Sequence, residues 1–126
     1  MTNRPPKLRF ATAYPLQEYY DDGCGNRWCV SRLIDEAKDL TPFDVPLAAL
    51  DLSGVIWQGY DIWDIAWHCK RVRDADLSKP IILTWDGCIA DGRHRIIKAL
   101  MTGKATIKAV RITWRVTPCK TEPEKE

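Results

Sequence analysis

The sequence lacks any apolar run long enough to cross a membrane, and it begins with no signal-peptide pattern. We therefore expect a cytoplasmic protein with no membrane partner, in which cysteines stay reduced. The chain contains five cysteines, and an odd number argues against a disulfide framework. No internal repeat is present, so we expect one compact unit.

An excess of charge of one sign is also lacking. Lysine and arginine number 19 and aspartate and glutamate 17, so the formal net charge is +2. This is too small to predict nucleic-acid binding by itself. Zinc patterns are missing as well: Cys24 and Cys29 are spaced Cys-x4-Cys, and His68 is adjacent to Cys69. Neither spacing is typical of structural zinc, so we predict no protein-held metal site.

Tryptophan, in contrast, is abundant. A chain of 126 residues that is 45% apolar can bury one hydrophobic core, and it contains six tryptophans. Trp57, Trp63 and Trp67 lie within eleven positions. They can fill the core, or they can form a platform for a nucleobase or a surface for a protein partner.

We expect a flexible N-terminal arm over residues 1–7, a single domain over 8–117 and a disordered tail over 118–126. In the first half of the domain, the patterns predict a strand near 8–13, a loop over 21–25 and extended segments over 45–52 and 55–57. Two helices are predicted here. One is capped by Asn26 and runs to about Leu40; the other begins near Asp61. Their predicted inward faces are Val30, Leu33, Ile34 and Ala37, and Ile62, Ile65, Ala66 and Cys69.

The second half has sharper local signals. The apolar segment 80–85 ends at Asp86-Gly87, a hairpin turn signal, and 88–90 is the predicted returning strand. A helix begins near Gly92 and stops near Gly103, and a half-buried strand is predicted over 105–116. The apolar alternation slips at residues 109–110, which indicates either a bulge or a change from two-sided to one-sided burial. These elements predict an α+β (α/β) fold with a small mixed β-sheet and packed helices.

The start of this third helix favours an anion. Gly92 lets a ligand approach the backbone, and a helix start presents unpaired N–H groups and the positive end of its dipole. Arg93, His94 and Arg95 add donors, and guanidinium groups match phosphate oxygens. The alternative is an ordinary turn leading into a surface helix with solvated charges.

The segment from about 77 to 116 resembles the phosphate-binding core of the ParB/sulfiredoxin superfamily. The resemblance rests on Pro80-Ile81-Ile82-Leu83, Asp86-Gly87, Asp91-Gly92-Arg93-His94-Arg95, Lys98-Ala99 and Gly103. It is strongest to small free-standing ParB-like domains with an Asp-Gly-X-His-Arg motif. It implies a ParB/sulfiredoxin-like fold and a phosphate site at the helix start. It also implies a nucleoside triphosphate, ATP or CTP, with Mg²⁺ as the cofactor.

Two departures from the superfamily narrow these implications. Arg93 stands where sulfiredoxins keep their catalytic cysteine, so repair of oxidised cysteine is not expected. No helix-turn-helix follows the motif, so we expect at most the nucleotide-binding module of a partition protein.

Gly92, Arg93, His94 and Arg95 are the predicted phosphate-binding residues. Asp91 and His94 are the predicted catalytic residues: Asp91 can position Mg²⁺ or act as a base, or it can cap the helix, and His94 can act as an acid or a simple donor. His68 can face the same pocket or be a core or surface histidine. Loop carboxylates can supply a further acid, or be solvated: Glu18, Asp21 and Asp22.

Three function classes remain open. The first is a nucleotide-dependent enzyme, either a Mg²⁺-dependent NTPase or a small-molecule phosphotransferase. The second is a DNA-binding or nuclease module, which predicts steep salt dependence. The third is a catalytically inert protein-interaction domain of phage or plasmid type, which binds a protein partner through a tryptophan-rich surface.

Overall fold

The computed structural model describes residues 19–54 and 61–121. The predicted N-terminal arm, the predicted strand at 8–13 and the predicted extended segment at 55–57 lie outside these residues. The elements follow in this order: β1 (Tyr19–Asp21), β2 (Asn26–Cys29), α1 (Val30–Ala37), β3 (Phe43–Pro46), a short 3-10 helix (Leu47–Ala49), α2 (Ile62–Asp74), β4 (Ile81–Leu83), β5 (Ile89–Asp91), α3 (Arg93–Met101), β6 (Thr106–Arg111) and β7 (Lys120–Thr121).

The main sheet has four strands in the order β3-β6-β4-β5. Strand β6 pairs antiparallel with β3 and parallel with β4, while β4 and β5 form an antiparallel hairpin. The chain leaves β5, forms α3 and returns as β6, which is the helical connection that a parallel pair requires. A second, antiparallel sheet has the order β1-β2-β7. The predicted α+β class with a small mixed sheet is therefore confirmed.

Strand β6 is buried on both faces at Ala109 and Val110, whereas Thr106, Lys108 and Arg111 are exposed. Ala109 packs with Ile81 and Ile96 on the α3 side, whereas the next residue, Val110, packs with Ile82 on the α1 side. Successive side chains of a strand point to opposite faces, so Ala109 packs into the core on one side of the sheet and Val110 into the core on the other. The slip in the apolar pattern therefore marks the two consecutive residues at which both faces of the strand are covered. The strand ends at Arg111, earlier than predicted.

Trp28 anchors the core on the α1 side. Its side chain is 1% exposed, and the indole Nε1–H donates to the carbonyl oxygen of Val116 over 2.8 Å. This bond holds the chain after β6 against β2. Residues 120–121 then pair with β2 as strand β7, so the predicted disordered tail is wrong at these positions.

The first predicted helix is too long. Asn26 does not cap a helix, since residues 26–29 form β2 between β1 and β7, and the helix covers only Val30–Ala37. Strand partners on both sides satisfy the backbone of β2, and one of them, β7, lies far away in the sequence. Three of the predicted core residues are buried, whereas Ile34 is exposed.

The β4–β5 turn is fastened by Thr84, which is fully buried. The Thr84 N–H donates to the Cys88 carbonyl over 2.8 Å, and Oγ1 accepts from the N–H groups of Asp86 and Cys88. Arg111 on β6 donates to the carbonyls of Thr84 and Trp85. The predicted hairpin is confirmed, with its returning strand at Ile89–Asp91.

Helix α2 begins as predicted, because Asp61 Oδ1 accepts from the N–H of Asp64 over 2.8 Å. Its predicted inward face is wrong: Ile62, Ile65, Ala66 and Cys69 are exposed, and His68 is the buried residue of the helix. At the other end, Lys98 of α3 donates to the carbonyls of Arg73 and Ala75. Lys98 thus caps the end of α2. Among the described residues, no helix has the length and apolarity needed to span a membrane.

Candidate functional site

The first turn of α3 starts from a glycine that another residue could not replace without strain. Gly92 has a φ of +107°, and a Cβ placed there would lie 2.5 Å from Cγ2 and 2.8 Å from Cβ of Ile81. The first intrahelical bond runs from the N–H of Ile96 to the Gly92 carbonyl. Gly92 offers no side chain to cap the N–H groups of the first turn, unlike Asp61 at α2. This end of α3 is suited to an anion.

The start of α3 opens into a cleft of about 520 Å³ between α2, α3 and the ends of β1 and β5. This volume lies within the range of small-molecule sites in proteins, roughly 300–1,000 Å³. The cleft is lined by Tyr19, Val30, Trp67, His68, Lys70, Arg71, Asp74, Ala75, Asp76, Lys79, Ala90, Asp91, Gly92, Arg93, His94 and Arg95.

Two histidines join α2 to α3 in the wall of this cleft. His68 Nδ1 and His94 Nε2 are 2.8 Å apart, which is hydrogen-bond distance. The rings are nearly parallel, with 16° between their planes and 5.0 Å between their centroids. One of the two nitrogens donates and the other accepts, so a proton occupies this bond in either tautomer.

The cleft keeps His94 neutral at pH 7. Burial is the main cause that lowers the pKa of His94 from 6.5 to about 4, and the positive charges of Arg71, Arg93 and Arg95 and the neighbouring His68 contribute in the same direction. Burial and nearby cations both disfavour the imidazolium. An anion bound among these cations would offset their charge and favour protonation of His94.

Arg93 and Arg95 are held by backbone carbonyls. Arg93 Nη2 donates to the Ile89 carbonyl over 3.0 Å, and Arg95 Nη1 donates to the Pro80 carbonyl over 3.1 Å. Arg95 Nη1 also lies 3.7 Å from Asp91 Oδ2, and both side chains are largely buried. A guanidinium has five N–H donors, so these contacts position each group and leave donors for a ligand.

Aromatic rings stand on two sides of the cleft. On α2, the Arg71 guanidinium carbon lies 4.9 Å from the centroid of the Trp67 ring, a cation–π contact, and Trp67 is edge-on to both histidines. On β1, Tyr19 is 45% exposed, and the Arg27 guanidinium lies 5.1 Å from its centroid. These rings can provide stacking surfaces for a planar group.

Cations outnumber carboxylates in the lining, with five of the former and three of the latter. Two of the three carboxylates have partners at the rim. Asp74 accepts from Arg73, and Asp76 accepts from the hydroxyl and N–H of Ser78; these bonds lower the pKa of each carboxyl. The inner part of the cleft thus combines Asp91 with Arg71, Arg93 and Arg95.

The structure brings together the whole predicted set Asp91, Gly92, Arg93, His94 and Arg95 at one cleft. His68 combines both alternatives, being a buried histidine that also lines the pocket. The loop carboxylates do not join them: Asp21 pairs with Arg27, and Asp22 accepts from Asn26 and Cys24. Glu18 lies outside the described residues.

Sequence reasoning missed Tyr19 and Arg71 as lining residues, whereas Trp67 is one of the tryptophans for which a nucleobase platform is an open alternative. The position of Arg71 near a helix end is typical of an ordinary cation that complements the helix dipole. A usable signal is present in α2, since Arg71 follows Trp67 by four positions and His68 by three, which places it on the same helix face as each of them. Tyr19 has no comparable local signal.

Metal ligation by the protein alone has little support. Within residues 19–54 and 61–121, no three His, Cys, Asp or Glu side chains lie close enough together to hold a metal. Mg²⁺ commonly needs only one or two carboxylates, with phosphate oxygens and water completing its shell. Asp91 fits that limited role, because it is the carboxylate beside the start of α3.

Comparison of the chain with protein-family models, curated proteins and solved structures gives no match.

Proposed function

We propose that the cleft binds a phosphate-bearing small molecule, with a phosphate group at the start of α3. The observation that carries this proposal is the Gly92 turn, which directs an uncapped helix N-terminus into a cleft flanked by Arg71, Arg93 and Arg95. Helix N–H groups and guanidinium forks are complementary to phosphate oxygens. The close approach of Gly92 to Ile81 keeps this position free of a side chain.

The histidine pair adds a donor that adapts to the ligand. If His68 Nδ1 carries the proton of the shared bond, His94 Nε2 accepts it and His94 Nδ1 carries the other ring hydrogen. His94 is then a neutral donor at pH 7, and a bound anion favours this tautomer or the imidazolium. His94 can accordingly act as a donor or as a proton carrier.

A nucleoside triphosphate with Mg²⁺ is the ligand we favour. The cleft is large enough for more than a phosphate, and the rings of Tyr19 and Trp67 can stack with a base. Asp91 would hold Mg²⁺ together with phosphate oxygens. The resemblance to the ParB/sulfiredoxin superfamily supports ATP or CTP. In its enzymatic form, the proposal is a Mg²⁺-dependent NTPase or phosphotransferase with Asp91 and His94 as acid–base candidates.

The test is calorimetric titration with pyrophosphate, ATP and CTP, each with and without Mg²⁺, and with a short DNA duplex for comparison. Arg71→Met keeps an unbranched apolar side chain at this position and removes the guanidinium that lies over Trp67. Because a charged hydrogen bond contributes about 1.5–3 kcal/mol, we expect at least a roughly tenfold loss of affinity. Release or transfer of phosphate in the same samples tests the enzymatic form.

Arg73→Met is the matched control. Arg73 lies half a turn further along α2, is exposed, does not line the cleft and pairs with Asp74 at the rim. We expect its affinity to stay within about twofold of the parent protein, as exposed pairs contribute little. Equal losses in both variants, or no binding of any phosphate compound, would contradict the proposal.

A protein-interaction domain is the second candidate function. Ile62 is 87% exposed, and Trp63 and Ile65 are exposed on the same end of α2. Large exposed apolar side chains that cluster are typical of contact surfaces. If no phosphate compound raises the Tm, this function explains the chain better, because a ligand that binds the folded state must stabilise it.

A further inference from the structure

Two cysteines from distant parts of the chain meet where β2 pairs with β7. The N–H of Cys29 donates to Cys119 Sγ over 3.2 Å, across a separation of 90 positions in the sequence. The N–H of Cys119 donates in turn to the Arg27 carbonyl over 2.8 Å. Cys119 is thus fixed next to β2 by its own backbone as well as by its sulfur.

This placement suits a disulfide. The register pairs Arg27 with Lys120, so Cys119 lies diagonal to Cys29 rather than directly opposite it, and its sulfur still reaches the N–H of Cys29. A disulfide needs Cα atoms about 4.4–6.8 Å apart, so we expect the bond to form with an adjustment of the backbone at Cys119. Cys29 ends β2, and Cys119 precedes β7 directly, so the pair lies at the end of the strand pairing. Backbone adjustment is easier there than inside a sheet.

The two thiols differ in access. Cys119 is exposed, while Cys29 is half-buried. The N–H and thiol of Cys29 lower the pKa of the Cys119 thiol, and Arg32 on α1 acts in the same direction. A thiolate is the reactive form of cysteine, so the lowered pKa makes the exposed Cys119 more reactive than an ordinary thiol at neutral pH.

We propose that Cys29 and Cys119 form a redox-active thiol pair, which a small-molecule disulfide oxidises to an intramolecular bond between β2 and β7. The Cys119 thiolate attacks one sulfur of the small disulfide, forms a mixed disulfide and expels one thiolate. The Cys29 thiolate then attacks Cys119 Sγ and expels the second. The protein loses two protons and two electrons, and the small disulfide becomes two thiols.

The bond would change the stability of the chain. It closes a loop of 90 residues and ties down strand β7, whose backbone pairing covers only two residues. A disulfide that closes a long loop restricts the unfolded state and so stabilises the folded one. Oxidation would therefore convert a short terminal strand into a permanent part of the small sheet.

The experiment uses the full chain with C24S, C69S and C88S, which leaves only Cys29 and Cys119. Incubation with oxidised glutathione is followed by intact mass, peptide mapping and thermal unfolding. We expect the loss of two hydrogen atoms, a linked peptide pair and a rise in Tm of at least about 5 °C, all reversed by dithiothreitol. In the parent chain, the same linked peptides should appear first.

Two further variants decide the mechanism. Adding C29S should stop the reaction with one glutathionyl group on Cys119. A matched chain that keeps only Cys24 and Cys69, on a loop and on α2, should form no intramolecular disulfide under the same conditions. The proposal is overturned if both thiols of the pair retain glutathione, if the products are linked dimers, or if the matched chain forms an internal disulfide equally fast.

Discussion

His68 on α2 and His94 on α3 are joined by a hydrogen bond of 2.8 Å between Nδ1 and Nε2, although 26 positions separate them in the sequence. The bond fastens two helices by a polar contact at the wall of a cationic cleft. Burial and neighbouring arginines disfavour the imidazolium of His94 and lower its pKa to about 4. His94 therefore stays neutral in this bond until the pH falls to about that value. The same two histidines thus join α2 to α3 and line the candidate site.

The first prediction concerns stability against pH. In the folded protein the pKa of His94 is about 4, whereas a histidine of the unfolded chain has its ordinary pKa of 6.5. The unfolded state binds more protons between these values, so the free energy of unfolding falls as the pH drops from about 6.5 to about 4. Allowing for partial exposure, we expect about 2–3 kcal/mol of this fall to come from His94.

His94→Gln removes the titrating group and keeps a hydrogen-bonding side chain. Urea unfolding of both proteins at intervals between about pH 7.5 and pH 4 measures the difference. The curve of the variant should be flatter than that of the parent in this window. Parallel curves would show that His94 does not titrate as described.

The second prediction concerns Gly92. Gly92→Ala should cost about 3–4 kcal/mol, because a positive φ disfavours a Cβ and this Cβ would overlap Ile81. Gly87→Ala is the matched control, since Gly87 also has a positive φ but open space around it. We expect about 1–2 kcal/mol there. Chemical denaturation gives both values, and equal costs would mean that the contact with Ile81 is not tight.

The third prediction compares two tryptophans. Trp28→Phe loses a buried bond to the Val116 carbonyl and leaves a cavity, so we expect a loss of about 2–4 kcal/mol in unfolding free energy. Trp114→Phe loses a bond from Nε1 to Glu36 at the surface, where water replaces it. We expect less than about 1 kcal/mol there. A larger loss of unfolding free energy in Trp114→Phe than in Trp28→Phe would contradict the central position of Trp28 in the core.

The fourth prediction concerns the end of α2. Lys98→Met keeps the apolar stem and removes the ammonium group that binds the carbonyls of Arg73 and Ala75. We expect a loss of about 1–2 kcal/mol and faster hydrogen exchange at the end of α2. Lys104→Met, at an exposed position after α3, should change neither measurement. If amide hydrogen exchange at the end of α2 were the same in Lys98→Met as in the parent protein, the Lys98 ammonium group would not stabilise that end of the helix.

The elements that the sequence predicts well depend on local chemistry. The Asp86-Gly87 turn and the helix after Gly92 follow from residues close together in the sequence. Strand β2 escapes prediction because its pairing with β1 and β7 is set by tertiary structure. A helical pattern extended backwards from Val30 could not reveal these partners.

The candidate site divides in the same way. Its half on α3 follows from the run Asp91 to Arg95, which a turn and a helix start bring together. Its half on α2 is predicted with the wrong face, because four apolar or small residues suggest the core. The structure instead turns His68 towards α3, where it contacts His94, a partner that lies 26 positions away in the sequence.

The separation of these two halves has an evolutionary consequence. The hairpin, α3 and β6 form one contiguous stretch, in which Gly92 and Ile81 constrain each other. Helix α2 comes from another part of the chain, and a histidine pair and a lysine cap are among the contacts that join it to that stretch. Its exposed face can therefore accumulate substitutions while the contiguous stretch stays unchanged, so descendants of this chain can diversify on α2 without rebuilding the turn at Gly92.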